Sequence, residues 1–125
     1  MTFAHVLVTE AELDGMAGEL VDATGWVEAN KQAWADQGGA FLCALCEYDF
    51  ITNVATLNTS TIEILAEYIA RYAAMSGIAY NMATVGAVFS SLIEPEDMIQ
   101  LHVYRLEKIE NLLSKKTVVD FVKVI

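Results

Sequence analysis

The stretch IEILAEYIARYAAM, residues 62–75, decides the fold because its apolar side chains recur at helical spacing. Ser60 and Glu63 stand in the pattern of a capping box, in which each side chain satisfies a backbone amide at the helix start. One face of the resulting helix carries four large apolar side chains: Ile62, Leu65, Ile69 and Tyr72. The sequence therefore predicts a long amphipathic helix, and it leaves open whether that helix continues through Gly77 to Tyr80.

A second capping box, formed by Thr9 and Glu12, predicts an earlier helix. Gly25 is placed to end this helix, because glycine readily adopts the left-handed conformation that follows many helices. The apolar stripe between these two signals has helical spacing and consists of Leu13, Met16, Leu20 and Val21.

Two further helices are predicted before residue 53. The first runs from Trp26 to about Asp36, and the pair Gly38-Gly39 interrupts the chain after it. The second follows the interruption, from residue 40 to about residue 52. It is apolar on almost every side, which is typical of a helix buried all round.

The last predicted helix begins near Pro95, because proline suits a first helical turn and Glu96 and Asp97 suit its positive end. A lone histidine on its apolar stripe is most simply a hydrogen-bonded core residue, so no catalytic role is assigned to it. The stripe consists of Ile99, His102, Leu106, Ile109 and Leu113.

The chain ends change to the composition of strands. Residues 117–125, TVVDFVKVI, are rich in β-branched and aromatic side chains and predict a C-terminal strand or extended arm. TFAHVLVT, residues 2–9, predicts a short N-terminal strand on the same grounds. The expected fold class is therefore mainly α: a compact bundle of four to five helices in a single domain, residues 1–125, with residues 117–125 as a C-terminal arm.

The C-terminal arm is the predicted interaction site. A two-stranded ribbon formed with residues 2–8 alone would be marginally stable, so the arm needs another partner. An apolar terminal strand is suited to joining a sheet edge or a groove on another protein, and an internal strand of a small α+β core is the alternative. The predicted interface residues place apolar side chains on both faces of the strand: Val118, Val119, Phe121, Val122, Val124 and Ile125.

The charge balance argues against nucleic-acid binding. The chain has 17 acidic and 7 basic side chains, a formal charge of −10. Phosphate binding depends on Lys and Arg, which release condensed counterions from the nucleic acid. An acidic wall still lets DNA pass without holding it.

The sequence predicts no catalytic residue, metal site or cofactor, although Cys43 and Cys46 have the spacing of a redox dithiol or half a zinc site. Hydrocarbon side chains flank both sulfurs, and only His5 and His102 are available to complete a zinc site. Because no secretory signal is recognisable, a reducing compartment with free thiols is expected. Packing is the favoured interpretation, and a thiol redox or zinc protein is the alternative.

The segment 73–93 contains 21 residues without a charge, which is long enough to cross a bilayer. Its polar residues, and the lack of a flanking basic cluster, favour a buried helix and turn in a core or subunit interface. A small membrane-associated protein that spans the bilayer through this segment is a further alternative.

Four parts of the chain together resemble the small head-to-tail connector (adaptor or neck) proteins of tailed bacteriophages. These parts are VTEAEL (8–13), IEILAEYIARYAAMSGIAYNMA (62–83), EPEDMIQLHVYRLEKIENLL (94–113) and the C-terminal arm. The resemblance implies a non-enzymatic virion protein that is assembled in the host cytoplasm and forms a homo-oligomeric ring in the neck. It further implies that terminal arms engage the portal protein or neighbouring subunits, and that DNA passes through the ring.

Overall fold

The structure, a computed structural model, describes residues 2–18, 20–21, 24–85 and 93–115. Within these residues lie four α-helices and one short 3-10 turn, Val54–Thr56. The helices are α1 (Glu10–Ala17), α2 (Glu28–Cys46), α3 (Thr59–Val85) and α4 (Ile93–Leu113). The mainly helical fold class is therefore confirmed, whereas the C-terminal arm lies outside the described residues.

Helix α3 is central, because it packs against each of the other three helices. One hydrophobic cluster joins the four, with Leu13 from α1, Leu42 from α2, Leu65 and Ile69 from α3, and Ile109 from α4 among its buried members. Ile62 and Tyr72 of the predicted stripe pack on this cluster while remaining partly exposed. Residues 62–75 therefore lie at the centre of the bundle.

The prediction of an N-terminal strand is wrong, since residues 2–9 contain no strand. The Gln32 side chain instead bonds the Ala4 backbone twice, accepting from its N–H and donating to its carbonyl at 2.8 Å each. The amide of Gln32 thus supplies the donor and acceptor that a neighbouring strand would supply. Leu7 and Val8 are buried and join the core from this irregular segment.

Helix α1 begins as predicted, with the capping box of Thr9 and Glu12. Its predicted end at Gly25 is wrong, because the helix stops at Ala17 and Gly18 takes the capping position with φ 60°. Only glycine adopts that conformation without a Cβ penalty. The predicted stripe residues beyond this point, Leu20 and Val21, therefore lie outside the helix.

Helix α2 runs through Gly38-Gly39, so the predicted break between two helices is wrong. A Cβ at Gly38 would lie 3.2 Å from Cγ of Tyr72, and one at Gly39 would lie 3.2 Å from Nε2 of His5. The two glycines let other side chains approach the helix backbone closely, and this contact offsets their low helix propensity of about 1 kcal/mol each.

Helix α2 also ends earlier than predicted, at Cys46, where Glu47 adopts a left-handed conformation with φ 53°. Oδ1 of Asp49 then accepts hydrogen bonds from the amides of Ile51 and Thr52, at 3.1 and 3.0 Å. Phe50, in the middle of this turn, is fully buried. The hydrogen bonds of Asp49 at the surface and the buried ring of Phe50 thus fix the conformation of the connection toward α3.

Helix α3 is capped by Asn58, whose Oδ1 accepts from the Thr61 amide at 2.7 Å. The predicted capping residue Ser60 instead lies within the first turn. The helix continues through Gly77, where a Cβ would come within 2.5 Å of the Trp26 ring. Trp26 stacks on Trp34, and Trp34 contacts Tyr80, with 6.0 Å between ring centroids in each pair.

A buried cation, Lys31, ties α1 to α2. Its Nζ lies 3.1 Å from Oε2 of Glu10 and 3.0 Å from Oδ1 of Asp14, and it stands 5.3 Å above the ring of Trp26. The Trp26 indole N–H donates to the same Asp14 oxygen at 2.7 Å. These polar contacts position the short α1, which has few apolar side chains of its own.

Helix α4 carries the predicted stripe, with Ile99 partly buried and four residues buried: His102, Leu106, Ile109 and Leu113. It begins at Ile93, so Pro95 lies in the first turn, where no intrahelical amide donor is required.

Candidate protein-interaction groove

The six arm residues predicted as the interface lie outside the residues that the structure describes: Val118, Val119, Phe121, Val122, Val124 and Ile125. Their contacts are therefore not part of the site described below. The site instead comprises apolar surface on the helical body.

Large apolar side chains remain exposed on the bundle surface. Phe41 is 45% exposed, so the prediction that its helix is buried all round is wrong. Helix α4 contributes four more exposed apolar side chains away from its buried stripe: Leu101, Val103, Tyr104 and Leu112. Their off-stripe position is a signal already present in the sequence, because a helix facing water on one side normally carries polar residues there.

Phe41 and Val103 border a groove of about 310 Å³ between α2, α3 and α4. Six of its lining residues are apolar or aromatic: Phe41, Tyr68, Tyr72, Met75, Val103 and Leu106. The other two, Glu107 and Glu110, are carboxylates from α4. An apolar floor with a few charged groups is the usual composition of a site that binds a side chain or peptide segment.

An aromatic array forms the wall of this groove. The rings of Phe41 and Tyr68 stack with 6.2 Å between centroids, and Tyr68 stacks on Tyr72 at 6.5 Å. The Tyr68 hydroxyl donates to Oε2 of Glu110 at 2.7 Å. Burial, reinforced by the charge and hydrogen bond of Glu110, raises the pKa of Tyr68 far above its ordinary value. Tyr68 is therefore a neutral donor that fixes Glu110 at the groove edge.

A second, larger groove of about 490 Å³ lies between α1, α3 and α4 and contains Arg71 and Arg105. Both guanidinium groups are bound by Glu67: Nε of Arg71 lies 2.8 Å from its Oε2, and Nη2 of Arg105 lies 2.8 Å from its Oε1. Burial alone would raise the pKa of Glu67, but the two arginines together lower it. Because Glu12 and Glu63 also line it, the groove holds three carboxylates against two guanidinium groups and is a poor site for an anion.

His102 is buried beside this network, and its Nδ1 lies 3.2 Å from Nη1 of Arg71. The guanidinium can only donate, so Nδ1 is the acceptor and the imidazole is neutral. Burial first, and then the charge of Arg71, lower the pKa of His102. Burial also lowers the pKa of His5, which the nearby Asp36 only partly counteracts.

Mild acid is therefore expected to destabilise the fold. Both histidines have folded-state pKa values below 6.5, so the unfolded chain binds more protons as the pH falls through that value. The contribution of the two neutral histidines to the free energy of unfolding is complete above pH 6.5. We expect up to about 1 kcal/mol of it per histidine to be lost by pH 5.5. Urea unfolding at pH 7.5 and 5.5 measures this loss. His102→Asn should flatten the dependence, and an unchanged slope in that variant would contradict the assignment.

Cys43 and Cys46 lie in the last turn of α2 and are not joined in a disulfide, with Cys46 buried and Cys43 partly buried. Thioredoxin-like dithiols lie at a helix N-terminus, where the positive end of the dipole favours a thiolate. This pair occupies the opposite end of a helix. Among the described residues, no group of three or more His, Cys, Asp or Glu side chains is arranged to hold a metal ion.

Within the described part of the chain, no helix combines the length and apolar character needed to cross a membrane. The predicted segment 73–93 falls partly in α3, and residues 86–92 lie outside the described ranges.

Comparison of the chain with protein-family models, with curated proteins and with solved structures gave no match.

Proposed function

We propose that this chain is a non-enzymatic assembly protein: a subunit of a homo-oligomeric ring that acts as a head-to-tail connector in the neck of a tailed phage. In this role, the C-terminal arm docks on neighbouring subunits or on the portal protein, and the ring surrounds the path of DNA. The virion neck is the site of action, and assembly takes place in the host cytoplasm.

The open apolar groove between α2, α3 and α4 carries this proposal. Exposed aromatic and aliphatic side chains at one concave site are typical of a surface that another protein covers. Phe41 and Val103, at 45% and 36% exposure, are the side chains that a partner would bury.

Charge supports the DNA path. A formal charge of −10 gives a ring of such subunits a surface that repels phosphates, so that DNA passes without adhering. The basic side chains Arg71 and Arg105 do not counteract this, because Glu67 binds both and Glu12 and Glu63 lie in the same groove.

Removal of residues 117–125 is expected to abolish self-association while leaving the helical circular dichroism essentially unchanged. The arm is proposed to supply the docking contact, whereas the described core is built from residues before 114. Sedimentation velocity of the full and truncated chains at equal concentration measures the effect. Phe121→Ser should reproduce it, and Thr117→Ser is the matched control that should not.

Electron microscopy of the full chain provides an independent test. Closed rings with a central opening wide enough for a DNA duplex are expected. A strictly monomeric full chain at all concentrations would overturn the proposed function, and so would closed dimers without an opening. Global unfolding of the truncated chain would make the arm part of the core instead.

A further inference from the structure

We infer that the groove between α2, α3 and α4 receives residues 117–125 of a second copy of this chain. The inference rests on the proposed function for the existence of a docking arm, and it adds the place where that arm binds.

The described residues leave few docking modes for an apolar extended segment. No strand lies within residues 2–18, 20–21, 24–85 or 93–115, so the arm has no sheet edge to join in this part of the body. A concave apolar site is a mode by which a body of helices receives a peptide segment. The groove bordered by Phe41 and Val103 has that form, with Leu106 and Met75 in its lining.

Charge complementarity selects the arm as the occupant. Residues 115–125 contain three of the seven basic side chains of the chain and one of its 17 acidic side chains: Lys115, Lys116 and Lys123 against Asp120. The groove is edged by Glu107 and Glu110. Lys115 and Lys116 lie just before the docked residues 117–125, in which Lys123 and Asp120 balance. In a strongly acidic protein, this C-terminal segment is thus the part least repelled by a groove with an acidic edge.

The length of the groove along α4 also matches that of a short extended segment. From Val103 to Glu110 the helix rises about 10 Å, a length that three or four extended residues cover. Alternate side chains of an extended segment share one face, so Phe121 reaches the apolar floor while Lys123 lies on the same side for the carboxylates.

A second copy, and not the same one, is the better source of the arm. Other exposed apolar side chains of α4 lie outside the groove, at Leu101 and Tyr104, which are 48% and 55% exposed. The few residues that fill the groove would leave these side chains in water, whereas the body of a neighbouring subunit can cover them.

A charge exchange in the full chain tests the contact. Glu107→Lys and Lys123→Glu are each expected to weaken self-association about tenfold, as loss of one complementary pair and gain of a like-charge pair would do. The double variant should recover affinity to within about threefold of the parent chain. Glu63→Lys, an equal charge change on the exposed face of α3, is the matched control and should leave association unchanged.

A mixing experiment tests whether the arm crosses between copies. Val103→Arg blocks the groove, and Phe121→Ser disables the arm, so neither variant alone should assemble. Mixed together, they retain one intact groove and one intact arm, and native mass spectrometry should show a heterodimer. If the mixture stays monomeric while the parent chain associates, the arm does not bind the groove of a second copy and the inference is overturned.

The outcomes separate this inference from the proposed function. If Phe121→Ser abolishes assembly but Glu107→Lys and Val103→Arg do not, the arm binds elsewhere or pairs with another arm. The groove assignment would then be wrong while the assembly role stands. If the parent chain itself never associates, both are overturned.

Discussion

Replacing Phe50 with alanine is expected to lower the free energy of unfolding by about 3 kcal/mol. Phe50 has no exposed surface and packs against Tyr48 edge to face, with 5.2 Å between ring centroids. It is the buried anchor of the turn that connects α2 to the following segment. The loss combines the transfer of the ring to water with the cavity that remains, since the turn cannot collapse into it without breaking the Asp49 hydrogen bonds.

Phe41→Ala is the matched control, because it removes the same side chain at an exposed site. It should cost about 1 kcal/mol, mainly from the stacking on Tyr68. Urea unfolding measures both variants. Under the inference above, Phe41→Ala should weaken association more than Phe50→Ala when both chains are folded. Equal stability losses would contradict the burial described for Phe50.

Gly77→Ala is expected to destabilise the chain by about 2 kcal/mol, although alanine is the better helix former. The added Cβ would lie 2.5 Å from the Trp26 ring, and aromatic rings do not bend out of the way. Trp26 is held by Asp14 at one edge and by stacking on Trp34, so displacing it breaks both contacts.

Gly15→Ala should change the stability in the opposite direction and serves as the control. Gly15 lies in α1 with nothing within 4 Å of an added Cβ, so this change should stabilise the chain by about 0.5 to 1 kcal/mol. Thermal unfolding of the two variants measures the contrast. Stabilisation by Gly77→Ala would show that the Trp26 ring does not need the glycine.

Local sequence rules predicted the elements whose signals lie within one helix. The Thr9 capping box and the stripe of α4 are of this kind, because caps and periodicity depend on residues three or four positions apart. The central helix around residues 62–75 was predicted for the same reason.

The wrong prediction of a break at Gly38 and the question left open at Gly77 both involve glycines whose role is set by distant side chains. Gly38 lies against Tyr72, and Gly77 lies against Trp26. A glycine that breaks a helix and one that admits a neighbouring ring look alike in the sequence, because the difference resides in tertiary contacts. The prediction of an N-terminal strand was wrong for a similar reason, since the Gln32 side chain that hydrogen-bonds the Ala4 backbone is 28 residues away in the sequence.

The groove was only partly predictable. Off-stripe apolar residues such as Val103 and Tyr104 mark α4 as a helix with two apolar faces. The partner wall could not be predicted, because the approach of Phe41 to Tyr68 depends on how α2 crosses α3.

The aromatic corner formed by Trp26, Trp34 and Tyr80 gives the protein a selective optical reporter. Trp26 and Trp34 are the two tryptophans of the chain, and neither lines the groove between α2, α3 and α4. Tryptophan emission should therefore follow the docking of α1 and the start of α2 onto α3. Unfolding of the N-terminal half can thus be observed in an unlabelled sample through side chains that do not line the groove.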